Sequence, residues 1–369
     1  MSSYEALYLH IPFCKSRCAY CDFTTKALAQ DNPALDKYLA RLIDEIRQAA
    51  KRDDLDQIKT IYVGGGTPTH LGHKRLVELG YLISLTIKLE QVEEYTLEAN
   101  PESLSVALVN DLFALGVNRI SIGAQSFIDK ELALLGRAHD AAAITRAFES
   151  VRARFTNISL DLMCGIPEQT TATWQYSLNQ ALLLKPEHLS IYPLQLENGT
   201  PLARAHEEEL IELPDEDAQA DFLEQAALTL RAAGYHRYEV ASYAKPGFES
   251  KHNTAYWQGA PYLGLGTGAA SMINLPNGTR QRSKDGEPPE QLSAKEALAE
   301  DLFLAMRMAK GISEEELIKA SSLLPHTPEV FKELLHLCLV EKREGRYLPT
   351  EKGWLLGNEL YSRIWVLGN

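Results

Sequence analysis

Residues 7–23 read LYLHIPFCKSRCAYCDF: a short apolar run, Leu7–His10, followed by Cys14, Cys18 and Cys21 in a C-x3-C-x2-C spacing. A strand that leads straight into a ligand-bearing loop is how (β/α) barrels build their sites, at the C-terminal ends of strands. The chain repeats that arrangement. Further β-branched runs fall at Thr60–Val63, Glu94–Glu98, Arg119–Gly123, Asn157–Met163 and His188–Pro193. Between them Pro33–Lys51, Leu71–Lys88, Ser103–Leu115, Ala141–Arg154 and Thr171–Leu184 carry apolar residues at helical spacing. In the first of these, Leu39, Leu42, Ile43 and Ile46 fall on one face. Strand-then-helix units in series predict a parallel sheet with helices outside it. Six units are too few for a full eight-stranded barrel. The expected fold is therefore α/β, a partial, open (β/α)6 barrel of the TIM type, with a doubly wound sheet as the alternative.

After Pro193 the pattern changes. Leu196–Leu213 reads as loop, with Asn198-Gly199-Thr200-Pro201 as a turn signal. Asp215–Ala233 reads as a helix and Tyr238–Tyr243 as a strand, and Gly259–Gly268 is rich in glycine and aromatics. Asn274–Pro289, rich in Gly, Pro and charge, reads as an exposed loop or linker. From Ser293, helices lead to two short runs, Leu339–Glu341 and Arg346–Pro349, on either side of Gly345, which predicts a helical, winged-helix-like C-terminal domain. The expected division is a barrel with its extension over 1–273, a linker over 274–292 and the C-terminal domain over 293–369. Such domains often bind DNA, but ten Lys and Arg against twelve Asp and Glu from Ser293 onward favour a protein-facing or site-covering role.

Composition narrows the function. With 45% hydrophobic and 24% charged residues, the 369-residue chain reads as a globular protein. Its net charge of −13 argues against broad contact with nucleic acid and against a polybasic membrane anchor. No apolar run approaches the roughly 20 residues that span a bilayer. The opening MSSYEALYLH lacks a basic region followed by an apolar stretch, so the expected compartment is the cytoplasm. Cysteines stay reduced there, which makes metal binding the better reading of any cluster of them.

Three thiolates within eight residues can wrap one metal centre. Zinc would need a fourth ligand, and His10 lies four residues before Cys14, so a Cys3His zinc site is one reading. A 4Fe–4S cluster held by three cysteines leaves one iron open to chelate a small molecule, which is the other. Tyr20, immediately before the third cysteine, suits a purine face, and Gly64–Thr69, GGGTPT, ends the second strand where backbone can approach a ligand. Cys164 and Cys338 lack ligand spacing and read as buried hydrophobes, and His139 and His188 as core residues.

The cysteine motif and the glycine triplet together resemble the radical S-adenosylmethionine (SAM) superfamily, in which they bind a 4Fe–4S cluster and the methionine moiety of SAM. Glu98 of LEANP, Gln125 of IGAQSF, Arg137 of LGRAH and Asp161 of SLDLMCGIPEQT narrow the resemblance to the branch containing coproporphyrinogen dehydrogenases and the HemW group. The resemblance covers nearly the whole chain. It implies a cluster on Cys14, Cys18 and Cys21, and a SAM site lined by Tyr8, Tyr20, Gly65, Gly66, Thr67, Glu98, Gln125, Arg137 and Asp161. The dehydrogenase has a fourth cysteine where this chain has Phe23, and a longer segment before its motif. Both departures, together with His252–Trp257, HNTAYW, are similar to the HemW group, regarded as haem-binding chaperones. By that resemblance His252 is the candidate haem ligand, since a neutral imidazole suits haem iron. Haem is then the cargo and acceptor haemoproteins the partners, membrane-bound respiratory proteins among them. The chain is expected to act as a monomer or as a dimer dependent on SAM or cluster, and not as a coproporphyrinogen dehydrogenase, though SAM cleavage stays open. The alternatives are that dehydrogenase, another SAM-dependent tetrapyrrole-modifying enzyme, and a zinc-stabilised adaptor.

Overall fold

The computed structural model describes residues 4–368. Six strands, β1 (Ala6–Ile11), β2 (Thr60–Gly65), β3 (Glu94–Ala99), β4 (Arg119–Gln125), β5 (Ile158–Cys164) and β6 (His188–Pro193), pair in parallel in sequence order, as their spacing predicts. The connections carry α1 (Pro33–Lys51), α2 (His73–Thr86), α3 (Val106–Ala114), α4 (Asp129–Leu134), α5 (Ala141–Arg152) and α6 (Thr171–Leu184). α1 begins where Asn32 accepts the Ala34 N–H and Pro33 takes the first helical position, and it buries Leu35, Leu39, Leu42, Ile43, Ile46 and Ala49. Alternation along β1 sends Leu7, Leu9 and Ile11 into the same apolar core, and turns Tyr8 and His10 to the opposite face.

The sheet is larger than six strands. β7 (His236–Arg237), β8 (Ser242–Ala244), β9 (Tyr262–Leu265), β10 (Ala270–Asn274), β11 (Arg280–Lys284) and β12 (Glu290–Leu292) extend it to twelve, in the order β12-β11-β10-β9-β1-β2-β3-β4-β5-β6-β8-β7. β9 adds a parallel strand beside β1, and Gly264 within it lets Ala270 pass, since a Cβ there would sit 2.1 Å from the Ala270 carbonyl oxygen. The two ends of this order do not pair with each other among the described residues, so the barrel stays open.

Four sequence expectations need correction. Residues 274–292 are no linker: β11 and β12 continue the main sheet as an antiparallel ribbon. Its arginines are committed to partners. Arg280, 2% exposed, donates to Glu300, Asp301 and Asn274 at once. Leu196–Leu213 is not all loop: the turn at Asn198-Gly199 is present, and directly behind it Thr200 caps and Pro201 starts a helix, α7 (Pro201–Glu207). Of Tyr238–Tyr243 only Ser242 and Tyr243 lie in a strand, β8; β7 ends at Arg237, and Glu239 instead bridges to Met308. Cys338 is exposed, in the left-handed conformation (φ 58°) just past α12 (Thr327–His336), where it turns the chain instead of filling a core. Cys164, His139 and His188 are buried, as read.

Two further helices precede the C-terminal unit, α8 (Glu216–Ala232) and α9 (Lys251–Trp257). That unit runs α10 (Ala294–Ala305), β13 (Ile312–Ser313), α11 (Glu314–Ser321), α12, β14 (Val340–Arg343) and β15 (Arg346–Pro349), followed by α13 (Glu351–Leu355) and α14 (Gly357–Trp365). Its three strands form a small sheet, β13-β15-β14, over a separate apolar core. This is the helix–strand–helix–helix–hairpin order of a winged helix. It docks on the barrel through Arg237, whose guanidinium lies 4.4 Å from the Trp354 ring centroid, and through Arg307, which sits over both Trp257 and Tyr361.

Candidate functional site

A cavity of about 350 Å³ opens at the C-terminal ends of the strands. Cys14, Cys18 and Cys21, none of them in a disulfide, stand at its edge, half-buried. Tyr20, Gly65, Gly66, Thr67, Glu98, Gln125, Arg137 and Asp161 all line it, although they come from five different strand ends. Phe23, 63% exposed, stands at the same cavity. Gly66 fits between the cysteine loop and the sheet only because it has no side chain: a Cβ there would meet the Cys14 Sγ and the Phe13 carbonyl oxygen, each at 2.8 Å. Gln125 follows a bulge in β4 and has φ 66°, which re-aims its side chain; the buried ring of His139, paired with Glu102, lies 3.4 Å from the neighbouring Ala124 carbonyl.

Burial at the cysteine loop disfavours bare thiolates, so a bound metal centre would have to supply the positive charge that stabilises them. Burial pushes the Cys14 thiol up to about 11 and raises that of Cys21. Donors are already aimed at the sulfurs: the Thr67 hydroxyl lies 3.6 Å from Cys14 Sγ and the Arg137 Nη1 3.4 Å from Cys18 Sγ. Both ring nitrogens of His10, the candidate fourth zinc ligand, are engaged elsewhere, Nδ1 with the Tyr8 hydroxyl and Nε2 with the Thr24 carbonyl. Among the described residues no three His, Cys, Asp or Glu side chains converge on a single-ion site. Three thiols, donors to their sulfurs and an adjacent polar cavity fit a cluster with one open iron.

Two carboxylates line the cavity wall. Glu98 accepts from the Tyr62 hydroxyl at 2.7 Å and the Gly65 N–H at 3.2 Å, yet burial lifts its carboxyl from 4.5 to about 7. Asp161 accepts from Ser121 and Ser159 and is likewise raised by burial, although Arg119 opposes the shift. For Glu98 the folded state holds its proton more tightly than the unfolded chain. Its contribution is therefore complete below pH 4.5 and is lost as pH rises through about 7. Glu98→Gln, which cannot ionise, should flatten the fall in the urea midpoint between those pH values. An unchanged slope would assign the pH dependence to other groups.

Tyr8 and His252 stand apart from that cavity. His252, 1% exposed, packs at the opposite end of the barrel, its Nδ1 2.9 Å from the hydroxyl of Thr60 at the start of β2. Glu94, the first residue of β3, accepts from Ser250 Oγ and from the backbone N–H groups of Lys251 and His252, which fixes the start of α9 there. The imidazole stacks on Tyr62, and burial lowers its pKa to about 3, so it is neutral; its Nε2 has no partner. Tyr8 lies with Tyr256, Trp257, Tyr262 and Arg282 along a second cavity of about 470 Å³, between β1, β10 and α10. Tyr256 packs edge-on against both His252 (4.8 Å) and Tyr262 (4.5 Å), and so stands between the imidazole and this cavity.

Among the residues of the first cavity that sequence reasoning missed, three stand out: Asn100, Tyr62 and Arg119. Asn100, of the LEANP stretch quoted for Glu98, bonds both Thr67 and Arg137. Tyr62 carries Glu98. Arg119, 2% exposed, brings a buried positive charge whose Nε has no partner. The alternation of β2 and β4 marks Tyr62 and Arg119 as facing inward, but nothing local distinguishes an inward polar residue from a strand-end cap.

The model of the radical SAM superfamily matches residues 8–181. A heme chaperone HemW of Bacillus subtilis is 35% identical over 376 residues, covering 97% of this chain and 98% of its own length. The heme chaperone HemW of Escherichia coli is 37% identical over 285 residues, covering 77% and 74%. Among solved structures, the E. coli coproporphyrinogen III oxidase HemN, a radical SAM enzyme, matches with a TM-score of 0.81 over 98% of this chain and 90% of that one. At 21% identity this last likeness shows the fold alone. With 35% identity to a HemW heme chaperone over nearly the full length of both chains, the chain belongs to the radical SAM superfamily and, within it, to the family of HemW heme chaperones.

Proposed function

We propose that this protein binds haem and hands it to acceptor haemoproteins, with a 4Fe–4S cluster and SAM held at the other cavity. The observation that carries the reading is the separate aromatic cavity, whose lining includes Tyr256 and Trp257 of HNTAYW. Tyr8, Tyr256, Trp257 and Tyr262 offer flat apolar faces to a porphyrin, and the buried, unpartnered Trp257 Nε1 is available to a polar edge. No residue lines both cavities; Tyr8 and Tyr62, one from each, stack with centroids 6.2 Å apart. Haem held there is kept away from the one-electron chemistry that a reduced cluster supplies to SAM. In this reading Cys14, Cys18 and Cys21 ligate the cluster. Tyr20, Gly65, Gly66, Thr67, Glu98, Gln125, Arg137 and Asp161 surround SAM, and Tyr8 reaches it only through Tyr62. His252, whose Nε2 has no partner and lies against Tyr256, would be the residue to ligate haem iron. The protein would work in the cytoplasm, as a monomer or as a dimer formed with cluster or SAM, and its acceptors would include membrane-bound respiratory proteins.

The test is a haem titration of the reconstituted protein, run in parallel with anaerobic incubation with coproporphyrinogen III, SAM and a reductant. The expected result is haem binding, weakened in Trp257→Ala, with no conversion. Conversion to protoporphyrinogen would replace this reading with the dehydrogenase. A His252→Ala variant that keeps the wild-type haem spectrum would assign His252 to packing alone.

A further inference from the structure

Three side chains form one directed chain between two of the cluster cysteines. Arg137 Nη2 lies 2.6 Å from Asn100 Oδ1, Asn100 Nδ2 lies 3.0 Å from Thr67 Oγ1, and Thr67 Oγ1 lies 3.6 Å from Cys14 Sγ. At the other end Arg137 Nη1 lies 3.4 Å from Cys18 Sγ. The hydrogens in this chain have only one consistent placement. A guanidinium can only donate, so the Asn100 atom facing it must be the carbonyl oxygen. The amide nitrogen of Asn100 then faces Thr67 and donates to its hydroxyl. That leaves the Thr67 hydrogen free, and the thiol sulfur of Cys14 is the acceptor within reach. Arg137 is itself held by the Gly123 carbonyl at 2.9 Å, and Thr67 by its N–H to Phe13 at 2.8 Å, so both ends of the chain are anchored to backbone.

We propose that Asn100 is a positioning residue for the cluster: through Thr67 and Arg137 it directs one hydrogen-bond donor at each of two ligand sulfurs, and so sets the cluster's reduction potential. Hydrogen bonds to ligand sulfur stabilise the more negative, reduced cluster and raise its potential. Removing a donor lowers it. This inference rests on the cluster being present, and is independent of whether the protein carries haem.

The experiment is a potentiometric titration of the reconstituted protein without SAM, with iron and sulfide measured on the same samples. Thr67→Val, nearly isosteric and without the hydroxyl, should shift the midpoint to a more negative potential, and Thr67→Ser should restore it. In Asn100→Asp the new carboxylate accepts from Thr67 and turns its hydrogen away from Cys14, so this variant should shift in the same direction. Loss of cluster in Thr67→Val with full loading in Thr67→Ser would also support the bond. A wild-type midpoint in fully loaded Thr67→Val, or equal loss of cluster in both Thr67 variants, would overturn it. Absence of any iron–sulfur cluster in the wild type would sink the underlying cluster assignment instead.

Discussion

Replacing Arg280 by alanine is expected to cost about 3–5 kcal/mol of stability, the range for breaking a buried ion pair from one side. Arg280 donates to Glu300 and Asp301 of α10 and to Asn274 of β10, and its side chain is 3% exposed. Without it the Glu300 carboxylate, 7% exposed, keeps Arg282 as its cation but loses its buried partner. Urea unfolding followed by circular dichroism measures the change. The double variant Arg280→Met, Glu300→Leu should recover most of the loss, because it removes both buried charges together. A single variant that unfolds like the wild type would show that the ribooned strands β10 to β12 are not held to the C-terminal unit by this pair.

Gly66→Ala is expected to abolish most of the cluster while leaving the fold intact. The added Cβ would meet the Cys14 Sγ and the Phe13 carbonyl, and backbone cannot yield as a flexible side-chain tip can. Gly64→Ala is the control. Its Cβ would meet the side chains of Tyr62 at 2.9 Å and Glu98 at 3.0 Å, which can move, so cluster content should change less and SAM affinity more. Iron and acid-labile sulfide per chain, with thermal unfolding in parallel, decide between them. Full cluster in Gly66→Ala would show that the glycine end of β2 does not shape the cysteine loop.

The parallel strands were legible in the sequence because each is apolar and bounded by turns, which is what burial on both faces requires. The cysteine end was legible because three ligands lie within eight residues of one another. The ribbon over 274–292 was not. Its arginines look solvated in sequence, and only the fold brings Glu300 and Asp301 to them. The turn at Asn198-Gly199 was legible, but α7 behind it was not, because a Thr-Pro pair that closes a turn can also cap and start a helix. HNTAYW was found by resemblance, and composition alone could not say that its histidine faces Thr60 and Tyr62 while its Tyr and Trp face the second cavity. Asn100 was invisible for a similar reason. Its partners lie 33 and 37 residues away, and its role appears only when three strand ends meet.

In the proposed site Cys14, Cys18 and Cys21 hold a cluster whose fourth iron is open to SAM. Electron paramagnetic resonance of the anaerobically reconstituted, reduced protein, with and without SAM, tests it most directly. One 4Fe–4S signal per chain, changing when SAM is added, is expected of the wild type. Replacement of any one of Cys14, Cys18 and Cys21 by alanine should abolish it. One zinc per chain with no acid-labile sulfide, or a cluster signal indifferent to SAM, would contradict it.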